Sequence, residues 1–269
     1  MNARSALFDL YGDHLRSRGG QARVASLVAL LAPLGIAAPA VRTAVSRMVK
    51  QGWLHPGRVG GSPGYALTAR AERRLEDAGA RIYRTGSTGG WDGRWHLLVP
   101  ARPADRAGRE RLRSGLAFLG YAQLGDGAWV AARPSPELDD LLDAEHIHAE
   151  RFTAEHETDD ADLVRRAWDL DAVGRSYERW LADARAMVGA LGPQPWDEDA
   201  FAVRSQLVHE WRKFLFTDPG LPRTLLPQRW PGDAAAAFFD EETARLLPAS
   251  AQFVSRCLAV ESNPNGAPP

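Results

Sequence analysis

The chain has 269 residues, 45% of them hydrophobic and 25% charged, with a formal net charge of −1 at pH 7. This length predicts two or three domains, and the absence of any run of about 18 apolar residues excludes a membrane-spanning helix. A single cysteine, Cys257, excludes an intrachain disulfide framework and a cysteine metal site. The amino terminus leads into an amphipathic helix and does not resemble a signal peptide, so we expect a cytoplasmic protein.

The charge is distributed unevenly along the chain. Residues 1–84 hold about 13 basic and about 5 acidic side chains, a formal charge of roughly +8, and the remainder carries roughly −9. A basic amino-terminal module on an acidic body is typical of a protein that contacts nucleic acid locally.

Three helices are predicted in the basic segment, over about residues 5–18, 24–31 and 39–50. In the third, Val41, Ala44, Val45, Met48 and Val49 recur at helical spacing and form one buried stripe. The opposite face carries three cations, two hydroxyls and no carboxylate: Arg42, Thr43, Ser46, Arg47 and Lys50.

A β-hairpin is predicted directly after this helix. Residues 53–59 indicate a strand, 60–64 a glycine-rich turn and 65–67 a short return strand. Helix, strand, turn and strand is the order of a winged helix-turn-helix, whose helix enters the major groove while the hairpin lies near phosphate. We therefore expect Arg42, Thr43, Ser46 and Arg47 to contact bases or phosphate, and Lys50, Arg58 and Tyr65 to contact the DNA backbone. The alternative is a solvated basic helix beside an ordinary hairpin.

The rest of the chain predicts two further domains. Thr68 is a candidate helix cap, and residues 86–90 have the composition of a linker. Residues 90–157 follow the order βαββαβ of a ferredoxin-like domain. Residues 159–262 are predicted to be helical, with the last two helices separated at Pro248. The expected fold class is thus α+β and multidomain: a winged helix-turn-helix (1–84), a ferredoxin-like central domain (90–157), a helical carboxy-terminal effector and dimer domain (159–262) and a flexible tail (263–269).

Four stretches carry a family resemblance. They are residues 42–48 followed by Gly52-Trp53-Leu54, the motif WDGRW at 91–95, the motif AWDL at 167–170, and LVHEWRKFLFTDPGLP at 207–222, which continues to Leu226-Pro227 and Trp230-Pro231-Gly232. Together they resemble the PaaX-like repressors, which control phenylacetic acid degradation in bacteria. The resemblance extends over about residues 5–260.

The resemblance implies a winged-helix domain, a central domain similar to the CRISPR-adaptation nuclease fold, and a helical carboxy-terminal domain. It also implies a homodimer that binds double-stranded operator DNA and represses transcription. The resemblance further implies that the repressor leaves its operator when an aryl-CoA thioester such as phenylacetyl-CoA binds, and it implies no other cofactor. Arg42, Thr43, Ser46 and Arg47 match the family's recognition helix.

A CoA ester needs cations for its phosphates and apolar or aromatic walls for its acyl group. Two groups of residues meet this description and are our candidates for the effector site. They are the block His209, Trp211, Arg212 and Lys213, and the aromatic side chains Trp168, Tyr177 and Trp180. The alternative is that these aromatic residues belong to the core and that the cations are solvated.

No catalytic motif is present, so we do not expect an enzyme. His146, His148 and His156 lack the additional ligands of a metal site, and none is expected. An acyl-CoA hydrolase and a metal-dependent nuclease built on the central domain are the alternatives. The nuclease would need an acidic residue after the first central strand, where the chain has Val99-Pro100.

Overall fold

A computed structural model of the chain describes residues 1–82, 90–125 and 127–259. The predicted tail at 263–269 lies outside these ranges, and so does the predicted linker at 86–90 except for Gly90. The described residues combine α-helices with two antiparallel sheets, which agrees with the predicted α+β class. None of the helices that they form has both the length and the apolarity needed to cross a membrane.

The chain divides into two compact units. Unit 1 contains the described residues of Met1–Arg84, Trp180–Arg212 and Ala236–Pro269, and unit 2 contains those of Thr85–Arg179 and Lys213–Ala235. The segment 159–262, predicted as one helical domain, is therefore shared between the two units.

The amino-terminal part of unit 1 contains short helices and three strands. In chain order these are α1 (Ala3–Leu10), a π-helical turn (Tyr11–Leu15), a 3-10 turn (Arg16–Arg18), β1 (Gln21–Arg23), α2 (Val24–Leu31), a 3-10 turn (Ala32–Leu34), α3 (Ala38–Lys50), β2 (Leu54–Val59), β3 (Ser62–Leu67) and α4 (Ala69–Ile82). The strands form an antiparallel sheet in the order β1-β3-β2. Thr68 caps α4 as predicted, because its hydroxyl accepts a hydrogen bond from the Ala71 amide at 3.2 Å.

The hairpin turn is shorter than predicted. Val59 pairs with Ser62, so only Gly60 and Gly61 lie in the turn. Their φ angles of 56° and 83° are those of a type I′ turn, which matches the twist of the two strands. Residues 62–64, which were predicted to be turn, instead extend β3 and pair with β2.

The carboxy-terminal half of the chain is largely helical. It contains α8 (Leu170–Gly189), α9 (Asp197–Trp211), 3-10 turns at Arg212–Phe216 and Arg223–Leu225, and α10 (Pro231–Ala259). The predicted break at Pro248 is wrong, since α10 continues through this proline. Leu246 on one side of Pro248, and Ser250 and Val254 on the other, are buried, so the same packed face extends along both halves of the helix.

Residues from both ends of the chain form the core of unit 1. Leu7, Leu27 and Met48 are fully buried there, together with Phe201 from α9 and Val254 from α10. Because the amino-terminal helices bury apolar surface against these two carboxy-terminal helices, residues 1–84 are not a separate compact unit.

Unit 2 contains the predicted βαββαβ order. Its elements are β4 (Trp95–Pro100), α5 (Arg106–Phe118), β5 (Ala122–Gln123), β6 (Trp129–Ala131), α6 (Leu138–Glu145) and β7 (Ala149–Ala154), followed by α7 (Asp160–Ala167). The four strands form an antiparallel sheet in the order β5-β6-β4-β7. One face packs through Leu98 on α5 and α6, and the other packs through Trp95 and Val130 against α7.

Candidate nucleic-acid interface

Helix α3 has one buried and one exposed face, as its sequence period predicts. Val41, Val45 and Met48 are at most 2% exposed. The five side chains of the opposite face are all exposed: Arg42, Thr43, Ser46, Arg47 and Lys50. We call these five residues the α3 face.

The cations of the α3 face are available to an anionic partner. Within the part of the chain that the structure describes, Arg42, Arg47 and Lys50 form no ion pair. Arg47 and Lys50 also lie in the last turn of the helix, where a positive charge stabilises the helix dipole. The Thr43 hydroxyl donates to the Pro39 carbonyl at 2.9 Å, so Thr43 offers a partner its methyl group and hydroxyl lone pair rather than its proton.

Helix α3 is joined to the hairpin by a tight turn. The Trp53 amide donates to the Met48 carbonyl at 2.9 Å, and Gly52 adopts a φ of 72°, which glycine accommodates without strain. Residue Arg58, predicted to contact DNA, is exposed on β2, and its Nε donates to the Gly61 carbonyl at 3.0 Å. This bond orders the hairpin tip and leaves the terminal amino groups of Arg58 for other contacts.

Tyr65, the other hairpin residue predicted to contact DNA, is only partly exposed and packs against the core of unit 1. Its carbonyl accepts a hydrogen bond from the Tyr11 hydroxyl at 3.1 Å. Burial raises the pKa of Tyr11 above its ordinary value, so this hydroxyl remains a donor. Tyr65 therefore contributes to the attachment of β3, and its predicted contact with DNA stays a prediction.

Sequence reasoning missed a further basic residue that lies beside the hairpin, Arg23. Its Nε donates to the Val59 carbonyl at 3.0 Å. Its guanidinium lies so close to Gly60 that a Cβ atom there would be 2.3 Å from Nη2. Arg23 belongs to β1, a strand of three residues that is too short to produce an alternating pattern.

The predicted effector residues of unit 1 are paired within the protein. His209 Nδ1 lies 2.8 Å from one carboxylate oxygen of Asp9, and Arg212 Nη1 lies 2.7 Å from the other. Trp211 is 1% exposed, donates its indole N–H to the Ile82 carbonyl at 3.2 Å and contacts Trp180 edge-on. These four predicted residues therefore stabilise unit 1.

The remaining predicted effector residues, Trp168, Tyr177 and Lys213, lie in unit 2. Tyr177 stacks on Phe214 with ring centroids 3.9 Å apart and donates its hydroxyl to Asp218 at 2.5 Å. Burial and the Asp218 carboxylate raise the pKa of Tyr177, which keeps the hydroxyl protonated. Trp168 stacks on Trp95 at 6.0 Å, and Lys213 is exposed. The effector role of all seven residues stays a prediction.

The histidines that were considered as metal ligands have other surroundings. His146 ends α6 in the left-handed conformation with a φ of 54°, and His148 lies 3.3 Å from Glu150. The described residues contain no group of three His, Cys, Asp or Glu side chains close enough to hold a metal ion.

Comparison with known proteins places the whole chain in one family. Residues 2–71 match the family profile "PaaX-like protein", residues 88–164 match "PaaX protein central Cas2-like domain", and residues 168–256 match "PaaX-like protein C-terminal domain". The transcriptional repressor PaaX of Escherichia coli (strain K12) is 31% identical over 268 residues, which cover 95% of this chain and 84% of the repressor.

A solved structure also matches. It is an uncharacterized protein from Mycobacterium tuberculosis, with a TM-score of 0.65 and 26% identity, over 94% of this chain and 98% of that one. Three findings agree: the matches to the family profiles, the identity to the repressor and the shared fold. The chain therefore belongs to the PaaX-like family.

Proposed function

We propose that this protein is a DNA-binding transcriptional repressor whose amino-terminal elements form a winged helix-turn-helix. The order of α1, α2, α3 and the β2–β3 hairpin supports this proposal, as does the similarity to a transcriptional repressor. A repressor acts on the bacterial chromosome, which agrees with the predicted cytoplasmic location.

The α3 face is the observation that carries the proposal. An exposed helix face with no carboxylate and with three cations that form no ion pair to any described residue suits the phosphates and guanine edges of a major groove. In this proposal Arg42 and Arg47 contact bases through their planar guanidinium groups. Thr43 and Ser46 contact bases or phosphate, and Lys50 and Arg58 contact phosphate only.

The proposed assembly is a homodimer on double-stranded DNA. Two copies of α3 would then enter major grooves of two half-sites about one helical turn apart, or a multiple of that distance. We further propose that an aryl-CoA thioester such as phenylacetyl-CoA favours a dimer geometry that separates the two helices from their half-sites. Such a ligand shifts the equilibrium only by its difference in affinity for the two states.

The test measures binding of the full-length protein to its own promoter region and to random duplex DNA, by fluorescence anisotropy. For Arg47→Ala we expect a loss of about 1–3 kcal/mol on the promoter and a smaller loss on random DNA, because a base contact is removed. For Lys50→Ala we expect equal losses on both and a salt slope reduced by about one, because a phosphate contact is removed.

The control is Arg175→Ala, which removes an exposed arginine of α8 from unit 2. It should leave both affinities unchanged. If Arg47→Ala and Arg175→Ala behave alike on the promoter, the α3 face does not read the operator and the proposed function is wrong.

A further inference from the structure

A cavity of about 500 Å³ lies within unit 2, on the face of the sheet opposite α5 and α6. This volume is in the range of small-molecule sites. Its lining comes from β4, β5, β6, the end of β7 and α7, and contains none of the seven residues that the sequence predicted as effector ligands. The lining residues are Trp95, Leu97, Gln123, Leu124, Gly125, Val130, Ala154, Glu155, His156, Leu163, Arg166 and Ala167.

The walls of the cavity are largely apolar. Trp95, Val130 and Leu163 form its buried part and belong to the core of unit 2. Leu97 and Leu124 are partly exposed along it, and Leu124 is 38% exposed. A flat apolar group would remove this surface from water and gain the contacts that a ligand ring makes with indole and leucine side chains.

His156 lines the cavity, and one of its ring nitrogens has no hydrogen-bond partner among the described residues. His156 Nδ1 is buried and forms no hydrogen bond within the described residues. It lies 3.4 Å from Asp160 Oδ1 without hydrogen-bond geometry, and that carboxylate already accepts the Trp95 indole N–H at 2.8 Å. The other ring nitrogen, Nε2, is 3.1 Å from the Thr158 hydroxyl. When Thr158 donates to Nε2, Nδ1 carries the hydrogen and is a donor without an acceptor in hydrogen-bond geometry among the described residues.

A cation lies at the mouth of the cavity. Arg166 is exposed and uses only its Nε, which donates to the Asp162 carbonyl at 3.3 Å. Among the described residues it forms no ion pair, whereas the nearby Glu155 faces Arg94 at 3.7 Å. The mouth therefore retains a positive charge that suits a phosphate group.

We infer that this cavity binds the acyl end of the CoA thioester effector. The acyl group lies against Trp95, the thioester carbonyl accepts a hydrogen bond from His156, and the phosphate-bearing part passes Arg166. The inference rests on the proposed CoA thioester response and assigns it a site that the sequence did not indicate.

The first test fills the cavity. Ala154 lines it and shares a strand face with Phe152, whereas the exposed Thr153 side chain points to the other face of the sheet. Calorimetric titration of the full-length protein with phenylacetyl-CoA should show affinity at least tenfold weaker for Ala154→Phe and unchanged for Thr153→Phe. Circular dichroism establishes that both variants are folded.

The second test removes the polar groups of the cavity one at a time. Arg166→Gln should lower the affinity for phenylacetyl-CoA at least tenfold. The control is Arg165→Gln, which changes the neighbouring exposed arginine. Arg165 does not line the cavity, so this variant should leave the affinity unchanged. His156→Ala should also lower the affinity for phenylacetyl-CoA. It should leave the weaker binding of CoA alone unchanged, because CoA has no thioester carbonyl.

The outcomes separate this inference from the proposed function. If phenylacetyl-CoA binds the wild type and all variants equally, the effector binds elsewhere and the inference is wrong while the effector proposal stands. If no CoA thioester binds the wild type although it binds its operator, the inference and the effector proposal both fail. Failure of the repressor proposal is detected independently, as an absence of operator binding.

Discussion

Arg204 of α9 is a buried cation whose hydrogen bonds are provided by residues far away in the sequence. It is 4% exposed, and its Nε donates to the Thr243 carbonyl at 3.0 Å. Both terminal amino groups donate to the Asp13 carboxylate, 191 residues away in the sequence. Removing one partner of such a buried pair leaves an uncompensated charge, so Asp13 and Arg204 act as a unit in stabilising unit 1.

His14 lies beside this ion pair. Its Nε2 is 3.2 Å from Asp13 and 3.5 Å from Arg204, and Arg18 donates to its carbonyl at 2.7 Å. Burial lowers the pKa of His14 to about 4. The positive charges of Arg204 and Arg18 act in the same direction, and the Asp13 carboxylate opposes the shift only in part. In the folded protein His14 is therefore neutral at physiological pH.

We predict that this histidine makes unit 1 sensitive to acid. The unfolded chain binds a proton at His14 near pH 6.5, whereas the folded chain binds it only near pH 4. The contribution of His14 to the stability of the fold is therefore complete above pH 6.5. It is lost as the pH falls toward 4, by up to roughly 3 kcal/mol. Urea unfolding at pH 7 and pH 4.5 should give a smaller difference for His14→Gln than for the wild type. Equal differences would contradict this prediction.

Helix α3 is the element that the sequence predicted best. Its apolar stripe and its exposed face follow from the 3.6-residue period, which depends only on local spacing. The predicted strands of unit 2 were located in the same way, by apolar runs separated by turn residues such as Gly125 and Gly127. Strand β1 could not be predicted, because its only support is pairing with β3 and three residues give no period.

The hairpin contains a pair of facing glycines with different surroundings. Gly64 on β3 pairs with Gly57 on β2. A Cβ at Gly64 would lie 2.7 Å from the Ala22 carbonyl oxygen and 2.7 Å from a Val59 methyl carbon, whereas a Cβ at Gly57 would have no described atom within 4 Å. The close approach of β1 is therefore what requires glycine at Gly64.

We predict that Gly64→Ala lowers the free energy of unfolding by about 1–3 kcal/mol, because the backbone of β1 must move away from the added methyl group. Gly57→Ala is the matched control, and we expect a change within about 0.5 kcal/mol. Thermal unfolding of both variants provides the measurement. A similar midpoint for the two would show that β1 does not pack closely against Gly64.

At the scale of the whole molecule, the sequence predicted most of the elements but not their association. Composition and the 86–90 linker predicted three consecutive domains, and the structure adds that Phe201, Phe253 and Val254 of the last one contribute to the core around the amino-terminal helices. No local pattern reports contacts between residues so distant in the sequence. The aromatic candidates for the effector site illustrate the same limit, because Tyr177 and Trp180 have a helical spacing that suits either a binding wall or a core.

We predict that a core change in α10 destabilises the distant α3. Phe253→Ala should cost about 3–5 kcal/mol and reduce hydrogen-exchange protection of the α3 amides, because both elements contribute to one core. Leu247→Ala, at a 43% exposed position of the same helix, is the control and should leave α3 protection unchanged. Loss of protection confined to α9 and α10 would contradict the shared core.

The shared core also has a consequence during synthesis. A ribosome adds roughly 5–20 residues per second, so Val254 leaves it on the order of ten seconds after α3 has emerged. Until then the nascent amino-terminal segment lacks part of the apolar surface on which its helices pack. We therefore expect an incomplete or prematurely terminated polypeptide to be unable to occupy the operator, so that only finished copies compete for it.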